Sequence, residues 1–150
     1  MRIALYQPDI PQNTGNIFRL AACLGVSVDV IEPAGFLFDD KRLQRSLMDY
    51  INHLNYKKHV DWKSFYQWYK SNKYRLILLT TKAKKKYYEC IYANNDILLF
   101  GQESAGVPNS IHQLADERLL IPMQKGLRSL NVSSAVSMIA GEALRQLNLQ

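Results

Sequence analysis

Three stretches of this chain hold residue types and spacings that could do chemistry: Asn13–Arg19 (NTGNIFR), Gly101–Pro108 (GQESAGVP) and Arg128–Ser134 (RSLNVSS). Arg19 falls roughly 150° from the apolar stripe of its own helix, at ~100° per residue, so it points away from the core. The plain reading of that placement is a solvated arginine; the sharper one is an arginine presented to a phosphate or to a partner chain. Gly101 follows an apolar run and lets a ligand approach the backbone, Gly106 permits a positive-φ turn, and Glu103 sits between them. Ser129 or Asn131 caps the last helix, whose leading N–H groups would then form a small anion site.

The same residues exclude other chemistries. No Gly-Lys-Ser/Thr follows the glycine loop, and no GxGxxG follows the first strand, so neither a P-loop nor a dinucleotide fingerprint is present. Cys23 and Cys90 are isolated thiols, and Cys23 reads as a small buried hydrophobe on a helix. His53, His59 and His112 are scattered without ligand spacing; they read as surface residues, and no metal site is expected.

The elements that position these stretches follow from periodicity. Arg2–Tyr6, Val26–Ile31, Arg75–Thr80, Ile97–Phe100 and Leu119–Ile121 read as strands. Between them, Asn13-Thr14 would cap a helix from Gly15 to Leu24 that stops at Gly25. Asp39 or Asp40 would cap a short basic helix, and Asp61 a helix carrying Trp62, Phe65, Tyr66 and Tyr69. Asp49–Val60 has no clear period, Lys82–Lys86 reads as a charged loop, and Tyr87–Tyr92 as a helical turn. The last helix places Val132, Val136, Ile139, Ala143 and Leu147 on an apolar stripe, with Ser134, Ser137 and Gly141 opposite. Glycine inside a helix costs ~1 kcal/mol relative to alanine, so Gly141 suggests a close backbone neighbour, from a second copy or from a crossing within the chain. Strands apolar on both faces, alternating with helices, imply an α/β fold with a parallel sheet covered on two sides.

At 150 residues the chain is read as one domain, and its 47% hydrophobic, 21% charged composition is that of a soluble globular protein. No apolar run approaches the ~20 residues of a membrane span, and the N-terminus does not read as a signal peptide, so a cytoplasmic, non-membrane protein is expected. A net charge of +6 and nine tyrosines suit a polyanion with exposed bases, RNA above all.

Together the three stretches resemble the motifs of the SPOUT methyltransferases. Asn-x-Gly-x-x-x-Arg comes first, then Gly-x-Glu-x-x-Gly-x-Pro after a strand, then Ile-Pro-Met followed by Ser-Leu-Asn-Val-Ser-x-Ala. Order and spacing are those of the SpoU branch, and the lack of any extra domain is similar to its minimal TrmL-like (YibK-like) tRNA 2′-O-methyltransferases. The likeness runs over essentially the whole chain. One position departs: Gln102 stands where relatives often carry Pro or a small polar residue.

The resemblance implies an α/β/α fold with a C-terminal trefoil knot, and S-adenosylmethionine (SAM) as the cofactor held in it. Carried over by position, Leu79, Thr80, Gly101, Glu103, Ile121, Met123, Ser129 and Leu130 would bind the cofactor. Arg19, assisted by Asn13, Glu103, Asn131 and Ser129, would serve the transfer of a methyl group to a ribose 2′-oxygen. The family implies a homodimer through the first and last helices, in which Arg19 could act on the partner's site. It also points to tRNA as partner, at the wobble nucleotide (C or U) of leucine tRNAs, with Arg19, Lys41, Arg42, Lys125 and Arg128 as candidate contacts. The basic loop Lys82–Lys86 and Arg45 join them as possible phosphate contacts. Three alternatives stand beside this reading: methylation at another tRNA or rRNA position, a non-catalytic RNA-binding module, and a dinucleotide oxidoreductase, which the missing glycine fingerprint counts against.

Overall fold

Short runs of Val, Ile and Leu bounded by turn residues become the five inner strands of a seven-stranded sheet in a computed structural model that describes residues 1–147. The strands are β1 (Arg2–Tyr6), β2 (Ser27–Ile31), β3 (Tyr56–His59), β4 (Arg75–Leu79), β5 (Lys85–Lys86), β6 (Asp96–Phe100) and β7 (Glu117–Leu120). Their order is β3-β2-β1-β6-β4-β7-β5, with every neighbouring pair parallel. Side chains alternate along a strand. Ile3, Leu5, Val28, Val30, Ile77, Leu98 and Phe100 therefore share one face, where α1 (Pro11–Leu24) and α5 (Val132–Leu147) lay Ile17, Phe18, Val136, Ile139 and Ala143. Ala4, Tyr6, Leu76, Leu78, Ile97 and Leu99 share the other, where α3 (Trp62–Ser71) and α4 (Asn109–Leu114) bring Phe65, Tyr69 and Ile111. The result is the α/β/α layering the alternation implies.

Several local expectations are corrected. α1 begins at Pro11 rather than Gly15, with Ile10 as an N-cap that makes no side-chain hydrogen bond. Proline's fixed φ suits the first helical position, where its missing N–H is not needed. Asn13 and Thr14, expected as the cap, are instead buried within the helix. Gly15 then permits close packing on α2 (Lys41–Leu47), since a Cβ there would lie 2.6 Å from the Ser46 Cβ and 2.8 Å from the Leu43 carbonyl oxygen. Of the ambiguous Asp49–Val60 piece, part is a 3-10 turn (Met48–His53) and part is the edge strand β3. Within the expected charged loop, Lys85–Lys86 pairs with β7 as β5, and Lys85 Nζ lies 3.1 Å from Glu117. The six-residue α4 is too short to display a period and was not anticipated.

Two residues change environment. Cys23 is exposed, not buried, because it lies four residues beyond Arg19 on the outward face of α1. His59 is buried rather than on the surface: its Nε2 sits 2.7 Å from Asp29 Oδ1, and Asp29 also accepts from Arg2 Nε at 2.6 Å. The Phe65 and Trp68 rings close over that histidine, at 5.1 and 5.0 Å between centroids. Asp61 caps α3 as expected, by accepting from Ser64 N at 2.7 Å.

Candidate active site

The strand register places the site. Leu79 pairs with Phe100 on one side and with Leu119 on the other, so β6, β4 and β7 end at one level and release their loops together. Ligands of open α/β sheets bind beyond such carboxyl ends. Here the three loops, with Ile10 of the β1–α1 connection and Asn13 of α1, enclose a cavity of about 520 Å³. That lies within the ~300–1,000 Å³ of small-molecule sites.

Every residue predicted to bind the cofactor lines this one cavity: Leu79, Thr80, Gly101, Glu103, Ile121, Met123, Ser129 and Leu130. Asn13, Asn131 and Arg128 line it too, as do Lys82 and His112, which the sequence did not single out for it. Arg19, Lys41, Arg42 and Lys125 are not on its wall. Arg19 is exposed on α1, its guanidinium carbon 5.1 Å from the Tyr50 ring centre. Arg42 is held by Asp40 at 2.8 Å, and the guanidinium pulls the Asp40 carboxyl down to about 2.

A run of hydrogen bonds ties the distant segments together. Asn131 Nδ2 donates to Asn13 Oδ1 at 2.9 Å, and Asn13 Nδ2 donates to Glu103 Oε1 at 3.2 Å. Glu103 Oε2 accepts from Asp9 N at 3.1 Å, and Glu103 N donates to Asp9 Oδ1 at 3.1 Å. The Ser104 hydroxyl donates to the remaining Asp9 oxygen, Oδ2. Burial pushes the Glu103 carboxyl above the usual carboxylate range, and the adjacent Asp9 pushes it further. Asp9 moves the opposite way, through its hydrogen bonds to Glu103 and Ser104. His112 is held below the ordinary histidine range by burial, then by Lys82 and Arg118.

One expectation about the loops changes. Asn131, not Ser129, caps α5: its Oδ1 accepts from Ser133 N at 2.8 Å and from Ser134 N at 3.4 Å. Those leading N–H groups are therefore already engaged, so the anion site expected there is closed by the protein itself. Gly101 must be glycine for its own loop as well, since a Cβ there would lie 2.5 Å from the Gly106 carbonyl carbon. Gly106 takes φ +67°, the left-handed turn expected of it. Gln102 N donates to Gly106 O at 3.0 Å, a bond that proline could not make at that position. Among the described residues, nothing beyond its own helix backbone comes within 4 Å of where a Gly141 Cβ would lie, which gives no intrachain crossing as the reason for it.

The sequence model of the SpoU rRNA Methylase family matches residues 1–141. The chain belongs to that family. Among its SpoU relatives, a tRNA (cytidine(34)-2′-O)-methyltransferase of Beijerinckia indica is 49% identical over 144 residues, 96% of this chain and 90% of the relative. A solved structure described as giving insights into the 2-OH methylation of C/U34 on tRNA superposes with a TM-score of 0.94 at 37% identity, over 99% of this chain and 97% of that one. The SpoU methyltransferase AviRb of Streptomyces viridochromogenes, solved in complex with AdoMet, shares the fold at TM-score 0.91 and 24% identity, over 100% of this chain and 61% of that one.

Proposed function

We propose that this chain is a SAM-dependent tRNA 2′-O-methyltransferase acting on the ribose of the wobble nucleotide, C or U, of leucine tRNAs. The observation that carries the reading is the single cavity in which Leu79, Gly101, Ile121 and Ser129 meet although they come from separate loops. Its make-up fits the cofactor: Leu79, Ile121, Met123 and Leu130 offer apolar surface to an adenine ring, while Thr80 and Ser129 offer hydroxyls to sugar and amino-acid groups. The name carried by the 49% identical relative supports the same activity and nucleotide.

When bound, SAM supplies a methyl group on a positively charged sulfur, a good leaving group. The protein's task is alignment and electrostatics. Asn13, Glu103 and Asn131 brace the cavity wall and orient the ribose. Arg19 steadies the charge that develops on the 2′-oxygen and contacts the neighbouring phosphate. A guanidinium keeps its proton to a pH above ~12, so the role is electrostatic rather than that of a base, and the 2′-hydroxyl proton passes to solvent as the methyl group is transferred.

Arg19 lies on the outward face of α1 and off the cavity wall, so it serves the site of a second copy in a homodimer. Ser134, Ser137 and Gly141 of α5 are exposed, which suits them to the same interface through the first and last helices. Lys41, Arg42, Lys125 and Arg128 receive the tRNA backbone. The C-terminal passage forms a trefoil knot, the single domain spans residues 1–150, and the enzyme works in the cytoplasm. Among the described residues no helix is long and apolar enough to cross a membrane, and no group of His, Cys, Asp and Glu could hold a metal.

The test is transfer of labelled methyl from SAM to leucine tRNA transcripts, followed by mass mapping of the modified ribose. Label on the wobble 2′-oxygen is expected; label elsewhere, or none, overturns the assignment. Arg19→Ala should retain cofactor binding by calorimetry and lose at least about 100-fold in transfer.

A further inference from the structure

Asp9 belongs to none of the three stretches with chemical potential, yet its backbone and side chain both meet the cavity wall. Its carboxylate accepts from Glu103 N at 3.1 Å and from the Ser104 hydroxyl, and its own N–H donates to Glu103 Oε2 at 3.1 Å. The contact is reciprocal: each residue gives a backbone N–H to the other's carboxyl group. Segments 94 to 95 residues apart in sequence are so joined by three hydrogen bonds in one place.

Asp9 is also held from behind. A Cβ on Gly35 would lie 3.0 Å from both the Asp9 Cα and Cβ, and Gly35 N donates to Pro8 O at 2.8 Å. On the strand side Gln7, at φ 45°, turns the chain out of β1 while its N–H donates to Ile31 O at 2.8 Å. Such an over-determined backbone fixes where the carboxylate sits. What the carboxylate fixes in turn is Glu103, whose other oxygen accepts from Asn13 at 3.2 Å, and through Asn13 the cap of α5.

We propose that Asp9 is a positioning residue for methyl transfer, clasping the Glu103–Ser104 backbone so that Glu103, Asn13 and Asn131 hold one wall of the cavity in register. The inference rests on the methyl-transfer reading above and adds a residue to it. Asp9 acts through Glu103 and does not touch the reacting atoms. The charge pattern agrees: Asp9 keeps its negative charge readily, and Glu103 feels it. A loosened wall misplaces the reacting groups, and a displacement of ~1 Å can cost on the order of 100-fold in rate.

The experiment has two readouts on the full-length protein. By amide hydrogen exchange, Asp9→Ala should speed exchange at Glu103 by about tenfold or more, because that N–H loses its acceptor. In steady-state transfer, the near-isosteric Asp9→Asn should lower kcat by about tenfold with little change in the KM for tRNA. In a Glu103→Gln background the same change should cost less than in the wild type, since what Asp9 holds in place includes the Glu103 carboxylate. Unchanged exchange at Glu103, unchanged kcat, or effects that multiply in the double variant would each overturn the clasp. Should Asp9 variants fold poorly, Ser104→Ala removes only the hydroxyl contact, and a kcat equal to wild type would count equally against the proposal. A wild-type protein that methylates no tRNA sinks the functional reading instead, while the exchange result still judges whether the clasp exists.

Discussion

Two polar networks bridge distant parts of this chain, and they are built for opposite ends. At the carboxyl ends of β6, β4 and β7, Asp9, Glu103, Asn13 and Asn131 join three loops beside a cavity of about 520 Å³. Under α3, Arg2, Asp29 and His59 join three strands, with Asp29 fully buried and the His59 side chain only 3% exposed beneath Phe65 and Trp68. The first network uses amides and half-buried carboxyls with one side open to a ligand. The second pairs charges tightly and shuts them in with rings. An open network can present groups to a substrate, whereas a closed one specifies which strands lie side by side.

The contrast breaks most visibly at Asp29. Asp29→Ala would strand His59 and Arg2 without their shared acceptor, and a loss of about 3–5 kcal/mol is expected in chemical denaturation. Methyl transfer per folded molecule should be unchanged; a large fall in it would mean that the closed network also serves the site. Asn13→Ala should behave in the reverse way. It removes the link between Glu103 and Asn131, and transfer is expected to drop about 100-fold while stability changes by only about 1 kcal/mol.

Gly101→Ala sharpens the picture of the open side. A methyl placed 2.5 Å from the Gly106 carbonyl carbon must push the two arms of the loop apart. SAM affinity, read by calorimetry, should fall about tenfold with the sheet intact. The smallest effect is a shift with pH. Both Glu103 oxygens accept hydrogen bonds, so the network as built requires the ionised carboxyl. Because burial and Asp9 raise its pKa, Glu103 takes up a proton sooner than exposed carboxylates as pH falls, and transfer should decline on that acid limb. Asp9→Asn removes the neighbouring charge and should move the limb to lower pH; a limb that stays put would show that Glu103 does not govern it. The same raised pKa bears on stability: its contribution is full below the unfolded carboxyl value and is lost as pH rises through the folded one. Ionising Glu103 therefore costs the open network some stability.

Local chemistry made much of this legible in advance. The strands were visible because branched aliphatic runs alternate with helical periods, and Asp61 and Gly25 announced the ends of their helices by side-chain and backbone rules that need no tertiary contact. Arg19 and Ser134, Ser137 and Gly141 were placed outward by helical geometry alone, and they are exposed. The same rules misled where a residue's partner lay far along the chain. Asn13 was a convincing N-cap until Pro11 took the start of α1, and His59 looked like a surface residue until Asp29 met it across the sheet.

Residue types and their spacing thus determined the layers, the motifs and the chemistry they could perform. Tertiary structure decided the rest: that Leu79, Phe100 and Leu119 end level, that Gly101 must make room for Gly106, and that Asp9 reaches Glu103. The reason is physical. Periodicity and capping act over a few residues, whereas register and close approach depend on which distant segments the sheet sets side by side.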